Sequence, residues 1–161
     1  MKTNKRQKIL IVGAFPPTHR KVFGGQITSS QILLNSSLSK DFKLITVDSS
    51  QKSNPAPHFF FRLFFALQRF IKWTAIMIAH RPQVVLLFFA SGASAVEKGL
   101  MAKLCYVVKT PVIVLPRAED FITECKNSIL TMKTAKYFFG TASKVICQGR
   151  KFQMFSEESL G

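Results

Sequence analysis

Residues that could hold a phosphate group cluster near the start of the chain. A basic triplet, His19, Arg20 and Lys21, is followed closely by the pair Gly24 and Gly25. Glycine lets backbone N–H groups approach a ligand closely, and the N-terminus of the helix predicted to follow carries partial positive charge. The pair would equally serve a turn that simply needs glycine, so both interpretations stay open. Because the segment matches neither a G-x-G-x-x-G fingerprint nor a P-loop, dinucleotide cofactors and Walker-type use of ATP are disfavoured.

A second group of chemically capable residues lies in the segment RAEDF (117–121), after a predicted strand. Arg117 could clamp an anion, and Glu119 or Asp120 could accept a hydrogen bond from a substrate hydroxyl or act as a general base. These two acids are therefore the candidate catalytic residues. The alternative is structural: Asp120 caps the following helix and pairs with Arg117 on the surface.

The three cysteines, Cys105, Cys125 and Cys147, form no C-x-x-C motif and have no histidine at metal-ligand spacing. We interpret them as buried thiols in a reducing compartment. No metal site and no cofactor are predicted.

Composition limits the class of protein and its partners. With 161 residues, 47% of them hydrophobic and 19% charged, the chain is expected to fold as a single domain over 1–161. Lys and Arg number 23 against 8 Asp and Glu, giving a net charge of +15. Such a balance indicates negatively charged partners, namely phosphorylated ligands, anionic lipid headgroups or nucleic acid.

Five short apolar runs predict the elements that position these residues. The runs are at 8–13, 42–48, 84–89, 111–116 and 144–148. They are continuous rather than alternating, which is typical of parallel strands buried on both faces. Helices are predicted between them at 26–38, 58–80, 95–108 and 122–139. The helix at 95–108 carries apolar residues at helical spacing, which are Val96, Leu100, Leu104 and Val107.

This alternation predicts an α/β fold with a doubly wound, five-stranded parallel sheet. The expected strand order is 3-2-1-4-5, which makes the first and fourth strands neighbours. Ligands of such sheets bind beyond the carboxyl ends of the strands where the order reverses. The loop 14–25 and the loop 117–121 are therefore expected to face one crevice.

The segment 58–80 is unusually rich in aromatic residues. Arg62, Arg69 and Lys72 interrupt it, so it is not expected to span a bilayer. As an amphipathic helix it could lie on an anionic membrane, with those cations at the headgroups and Phe64 and Trp73 at the acyl boundary. The alternative is a buried crossover helix with its cations at the rim. Nucleic acid is disfavoured as a partner, because these aromatic residues lie on a helix rather than on an exposed sheet.

Three stretches carry a resemblance to a known family. KILIVGAFPPTHRKVFGGQITSSQILLNSSLSK resembles the opening of the family-4 retaining glycosyltransferases of the GT-B fold. ASKVICQGRKFQMFSEESLG resembles the fifth strand and following helix of their N-terminal lobe, and PVIVLPRAEDF lies where these enzymes have a strand and loop facing the acceptor. The resemblance implies a Rossmann-like, acceptor-side half of a GT-B enzyme.

The resemblance also implies an activity and a set of partners. Gly24 and Gly25 would touch the diphosphate of a nucleotide-sugar, and the residues Arg117 to Asp120 would line the acceptor side. The reaction would be retaining hexosyl transfer to a membrane-borne or polysaccharide-precursor acceptor. The family's C-terminal, donor-binding lobe has no counterpart before Gly161, so the chain is expected to be an incomplete enzyme, inactive unless a separate chain supplies that lobe.

Two functions are therefore expected as alternatives. One is this half of a glycosyltransferase, and the other is a non-catalytic basic module that binds anionic membranes through the helix 58–80. Either implies a cytoplasmic protein that is peripheral on the inner face of the cell membrane.

Overall fold

The computed structural model describes residues 6–15, 25–50 and 58–160. The chain divides into two compact units, Met1–Gln83 and Val84–Gly161. The single domain over 1–161 stays a prediction.

In its described residues, the first unit contains two parallel strands and three helices. The strands are β1 (Lys8–Gly13) and β2 (Lys43–Asp48), and the helices are α1 (Gly25–Asn35), α2 (Leu38–Asp41) and α3 (Phe59–His80). The strands pair in register from Lys8 opposite Lys43 to Gly13 opposite Asp48. Residues 10–12 of β1 have no exposed surface. This explains the continuous apolar run, since both faces of the strand are covered.

Helix α3 ends in a left-handed turn. Arg81 adopts φ 47° and ψ 63°, and its backbone N–H donates to the carbonyl of Met77 at 3.0 Å. A left-handed residue at this position satisfies a helix carbonyl that would otherwise lack a partner. Pro82 follows and cannot continue the helix.

The second unit contains the other three strands. They are β3 (Val84–Phe89), β4 (Val112–Pro116) and the short β5 (Lys144–Val145). The helices are α4 (Ala93–Val107), α5 (Asp120–Asn127), α6 (Ile129–Phe139) and α7 (Arg150–Phe155), and a π-helical turn follows at Ser156–Leu160. The pairs β3–β4 and β4–β5 are both parallel.

Stacked phenylalanines form the core of the second unit. Phe89 stacks on Phe139 with 4.5 Å between ring centroids, and Phe121 meets both rings edge-on. From α7, Phe152 and Phe155 place their rings 6.2 and 6.3 Å from that of Phe121. All five are buried. Such aromatic pairs add roughly 0.5–1.5 kcal/mol each beyond the area they bury.

The helix predicted over 122–139 is two helices. Ser128 is extended, with φ −141° and ψ 114°, and its side-chain oxygen accepts a hydrogen bond from the backbone N–H of Thr131 at 3.2 Å. Serine is a preferred N-cap because its oxygen satisfies a free N–H in the first turn. The cap therefore ends α5 and starts α6.

The five-stranded, all-parallel, doubly wound α/β fold is confirmed, but the predicted strand order is wrong. Among the described residues the order is β2-β1-β3-β4-β5, the arrangement found in flavodoxin-like sheets. Both orders use right-handed crossovers, so handedness does not choose between them. They differ in where β3 is placed, beside β2 in the predicted order and beside β1 in the observed one, and an apolar run does not encode that choice.

Candidate functional site

The strand order removes the basis of the crevice predicted from sequence. Because β3 lies between β1 and β4, the loops after β1 and β4 do not follow neighbouring strands. His19, Arg20, Lys21 and Gly24 lie outside the described residues, and Gly25 is the first residue of α1. Their roles in substrate binding stay predictions.

Asp48 and Ser49, at the carboxyl end of β2, form hydrogen bonds with residues at the carboxyl end of β1. The Asp48 carboxylate accepts from the backbone N–H of Phe15 at 2.9 Å and from both the N–H and the hydroxyl of Ser50. Ser49 donates its N–H and its hydroxyl to the carbonyl of Gly13. The acid that ends β2 therefore holds the start of the loop that follows β1.

The surface ion pair with Asp120 that the sequence suggested as an alternative for Arg117 is not formed among the described residues, and the role of Arg117 as an anion clamp stays a prediction. Its guanidinium carbon lies 5.0 Å from the centroid of the Phe88 ring, and burial lowers the pKa of the group. Its Nε is buried and has no hydrogen-bond partner among the described residues. Helix α5 begins at Asp120 with Glu119 at the N-cap and no side-chain cap bond, so the predicted Asp120 cap is not formed.

Glu119 lies at the surface in a different ion pair. Its carboxylate is 3.1 Å from the Nζ of Lys151, and both side chains are more than half exposed. The two residues border a shallow pocket of about 240 Å³ beyond the ends of β4 and β5, which Gln148 and Gly149 also line. An exposed pair of this kind contributes roughly 0–1 kcal/mol to stability. The catalytic roles of Glu119 and Asp120 stay predictions.

Helix α3 presents large apolar side chains to solvent. Five of them form what we call the apolar stripe, and each is more than half exposed: Phe60, Phe64, Leu67, Ile71 and Ile78. Their spacing of 4, 3, 4 and 7 residues places them on one face over five helical turns. The opposite face holds Trp73 and Met77, which are buried.

The cations of α3 differ in their surroundings. Arg62 and Lys72 are exposed, whereas Arg69 is half-buried and makes contacts of its own. The segment 58–80 contains no Asp or Glu. In the part of the chain that the structure describes, no helix is long and apolar enough to cross a bilayer.

The expected contact of Trp73 with lipid is corrected by its burial. The residue is 0% exposed, and its ring lies 5.6 Å from that of Phe70. Because the sequence of α3 is apolar on most sides, it does not indicate which aromatic residue is buried. Trp73 is therefore on the inward face of the helix and not on the face exposed to solvent.

The large apolar residues of helix α4 suggest one face as the buried one, but the structure buries the opposite face. Val96, Leu100 and Val107 are exposed, while Ala95, Gly99, Met101, Ala102 and Cys105 are buried. Small residues face inward because α6 lies close: a Cβ on Gly99 would meet the Phe138 ring at 2.5 Å. Close packing of the two helices decides the orientation of α4.

Helix α4 contains an ion pair that was not predicted from the sequence. The Nζ of Lys98 donates to Glu97 at 3.0 Å, with side-chain exposures of 2% and 9%. Both residues make further interactions. Buried charges must be paired because desolvation costs several kcal/mol per ion. The available signal was the dipeptide Glu97-Lys98 itself, two charges within a run of small and apolar residues.

Cys105 and Cys125 are buried, as predicted, whereas Cys147 is only half-buried. Burial raises the pKa of Cys105 from 9.0 to about 12. The pKa of Cys125 is about 11, first because of burial and second because of the charge of Glu124. No cluster of three or more His, Cys, Asp or Glu suited to a metal occurs within residues 6–15, 25–50 and 58–160.

No family model matches the chain, and no curated protein matches it. One similar solved structure is the signal receiver domain of a modulated diguanylate cyclase from Desulfovibrio desulfuricans G20, with a TM-score of 0.47, 14% identity, and 96% of this chain and 94% of that chain covered. Another is a response regulator protein from Burkholderia multivorans, with a TM-score of 0.39, 11% identity, and coverage of 95% and 91%. A conserved protein from Enterococcus faecalis V583 has a TM-score of 0.39, 12% identity, and coverage of 96% and 97%.

The resemblance to glycosyltransferases is wrong. Two of these three structures are described as receiver or response regulator proteins, and none is described as a glycosyltransferase. The expectations that depended on this resemblance are therefore wrong as well. They are the retaining hexosyl transfer, its nucleotide-sugar donor, its sugar acceptor, its role in polysaccharide synthesis and the separate donor-binding chain. The stretches that carried the resemblance are strand-loop-helix patterns that doubly wound sheets repeat. A fold of this kind does not by itself imply a chemistry.

Proposed function

We propose that this protein docks on anionic membrane surfaces through helix α3, lying in the plane of the interface. The observation that carries the proposal is the apolar stripe, five large side chains exposed along one face of a helix that contains no acid. Contiguous exposed apolar surface is unusual on soluble domains and marks a protein or membrane contact.

The apolar stripe has the depth and length of an interfacial anchor. It runs over residues 60–78, which at about 1.5 Å per residue corresponds to roughly 27 Å of helix. Interfacial helices bury their apolar face about 5–10 Å deep at the boundary of headgroups and acyl chains. Full burial of one Phe, Leu or Ile contributes about 1.5–3 kcal/mol, so partial insertion of five such side chains is enough for stable docking.

Charge selects the lipid. Lys72 is exposed at the flank of the apolar stripe, next to Ile71, and a cation near an anionic surface contributes about 1 kcal/mol. The net charge of +15 adds attraction at longer range. A neutral bilayer offers only the apolar term, and we therefore expect anionic lipid to be preferred.

Vesicle co-sedimentation with the full chain tests the proposal. The protein should sediment with phosphatidylcholine vesicles that contain phosphatidylserine, and much less with pure phosphatidylcholine. The double variant Phe64→Ser/Ile71→Ser should lower the partition coefficient at least about tenfold, since about 1.4 kcal/mol is lost per tenfold.

The matched control removes two equally exposed apolar side chains elsewhere. Val107 and Ile129 are 66% and 78% exposed and lie outside α3. The variant Val107→Ser/Ile129→Ser should bind vesicles as the unmodified chain does. Equal loss in both double variants, or no loss in the first, would refute the proposal.

A further inference from the structure

The second unit contains a pocket that the membrane proposal does not use. It has a volume of about 470 Å³ and lies among α4, α5 and α6. Sites for small ligands are typically about 300–1,000 Å³. No residue of α3 lines it.

Its walls are mainly apolar and aromatic. Phe121, Phe138 and Phe139 contribute rings, and Ala95 and Leu130 contribute aliphatic surface. Phe121 and Phe139 are fixed in the phenylalanine core, and Phe138 is packed against Gly99. The wall is therefore built on rigid helices and is formed before a ligand arrives.

Glu124 is the one charged residue among those that line the pocket. Its Oε2 accepts from the backbone N–H of Gly92 at 2.9 Å, which holds the carboxylate in place. Its Oε1 takes no part in that bond. In a chain with 23 basic and 8 acidic residues, an apolar pocket whose single charge is negative differs in sign from the molecule as a whole.

From this arrangement we infer that the pocket binds a small organic cation, an alkyl chain or ring that carries an ammonium group. The apolar part would lie against Phe138 and Leu130, and the ammonium would meet the Glu124 carboxylate. Aromatic faces also attract ammonium groups. An anionic amphiphile is disfavoured because its head would face the carboxylate.

Titration calorimetry with octylammonium, and with 1-octanol as the uncharged analogue, tests the inference on the full chain. Octylammonium should bind at one site per chain and more tightly than octanol, despite the net positive charge of the protein. Glu124→Gln keeps an oxygen that can accept from Gly92, and should weaken octylammonium binding about fivefold to tenfold while leaving octanol binding unchanged.

The matched control is Glu158→Gln, which makes the same charge change at an exposed residue outside the pocket lining. It should leave both affinities unchanged. Ala95→Leu should weaken both ligands by filling the pocket, and circular dichroism should show that it is folded. Equal affinity for the two ligands, an unchanged octylammonium affinity in Glu124→Gln, or no binding up to about 10 mM would overturn the inference.

Discussion

Helix α3 has a buried face that contains Trp73 and an exposed face that contains the apolar stripe. Trp73 is fully buried, whereas Phe64 and Ile71 are exposed. A helix with its side chains is about 10–12 Å across. A lipid that contacts the apolar stripe is therefore a helix diameter away from the indole ring.

This geometry predicts how the chain's single tryptophan responds to vesicles. When the protein binds anionic vesicles that contain brominated acyl chains, Trp73 fluorescence should be quenched only weakly. The variant Ile71→Trp adds an indole to the apolar stripe and should show strong quenching of the added emission. Strong quenching of Trp73 in the unmodified chain would mean that α3 unfolds or turns over at the membrane.

Among the elements, the pair α4 and α6 is held at short distance by a glycine. Gly99 faces Phe138, and an added Cβ would come within 2.5–2.7 Å of ring atoms and of the Phe138 Cβ. The Phe138 Cβ is attached to the α6 backbone, so rotation of the ring cannot relieve this contact. Either the helices separate or the pocket between them changes shape.

Gly99→Ala should therefore lower the free energy of unfolding by about 1–3 kcal/mol. The better helix propensity of alanine, worth up to about 1 kcal/mol, opposes this loss but does not exceed it. Chemical denaturation measures the change. Adding Phe138→Ala to Gly99→Ala should cost less than the two single changes together, because the clash is removed.

Gly149→Ala provides the control for that prediction. Gly149 has an extended φ of 164°, and a Cβ built there meets nothing within 4 Å. Its stability change should stay within about 0.5 kcal/mol. If both alanine variants were equally destabilised, backbone conformation and not helix spacing would be the cause.

For the whole molecule, the excess of positive charge governs how membrane docking depends on salt. The Debye length is about 10 Å at 0.1 M and about 3 Å at 1 M salt, so added salt removes long-range attraction first. The apolar contacts of α3 are not screened in this way. The two contributions can therefore be separated by ionic strength.

Raising sodium chloride from about 0.05 M to about 0.5 M should strongly reduce binding to vesicles that contain phosphatidylserine. The residual binding should equal that to pure phosphatidylcholine, which should change little with salt. Co-sedimentation at several salt concentrations gives both values. Binding to anionic vesicles that does not depend on salt would exclude the electrostatic part of the proposal.

Much of the secondary structure could be predicted from local pattern. The strands at 8–13 and 84–89 match the predicted bounds, and β2 and β4 each begin one residue later than predicted. Buried parallel strands leave a continuous apolar run, and that signal survives without any tertiary information. Helix α3 was also predicted to within one residue at its start.

Orientation could not be predicted in the same way. The periodicity of α4 marks Val96 and Leu100 as one face, yet the inward face is the one with Gly99 and Ala102. Likewise, the sequence does not mark Glu124 as a pocket residue, because the pocket that it lines is formed by residues from 92 to 139. The environment of a side chain depends on which helix packs against it.

The amino-acid sequence by itself determined the βα alternation, the parallel sheet and the excess of basic residues, because each is recorded in local composition and spacing. Only the tertiary structure decided that β3 lies beside β4 with the order β2-β1-β3-β4-β5, that Trp73 is buried, and that Phe64 and Ile71 are exposed. These outcomes depend on contacts between residues far apart in the chain, where packing and not local preference selects the neighbour.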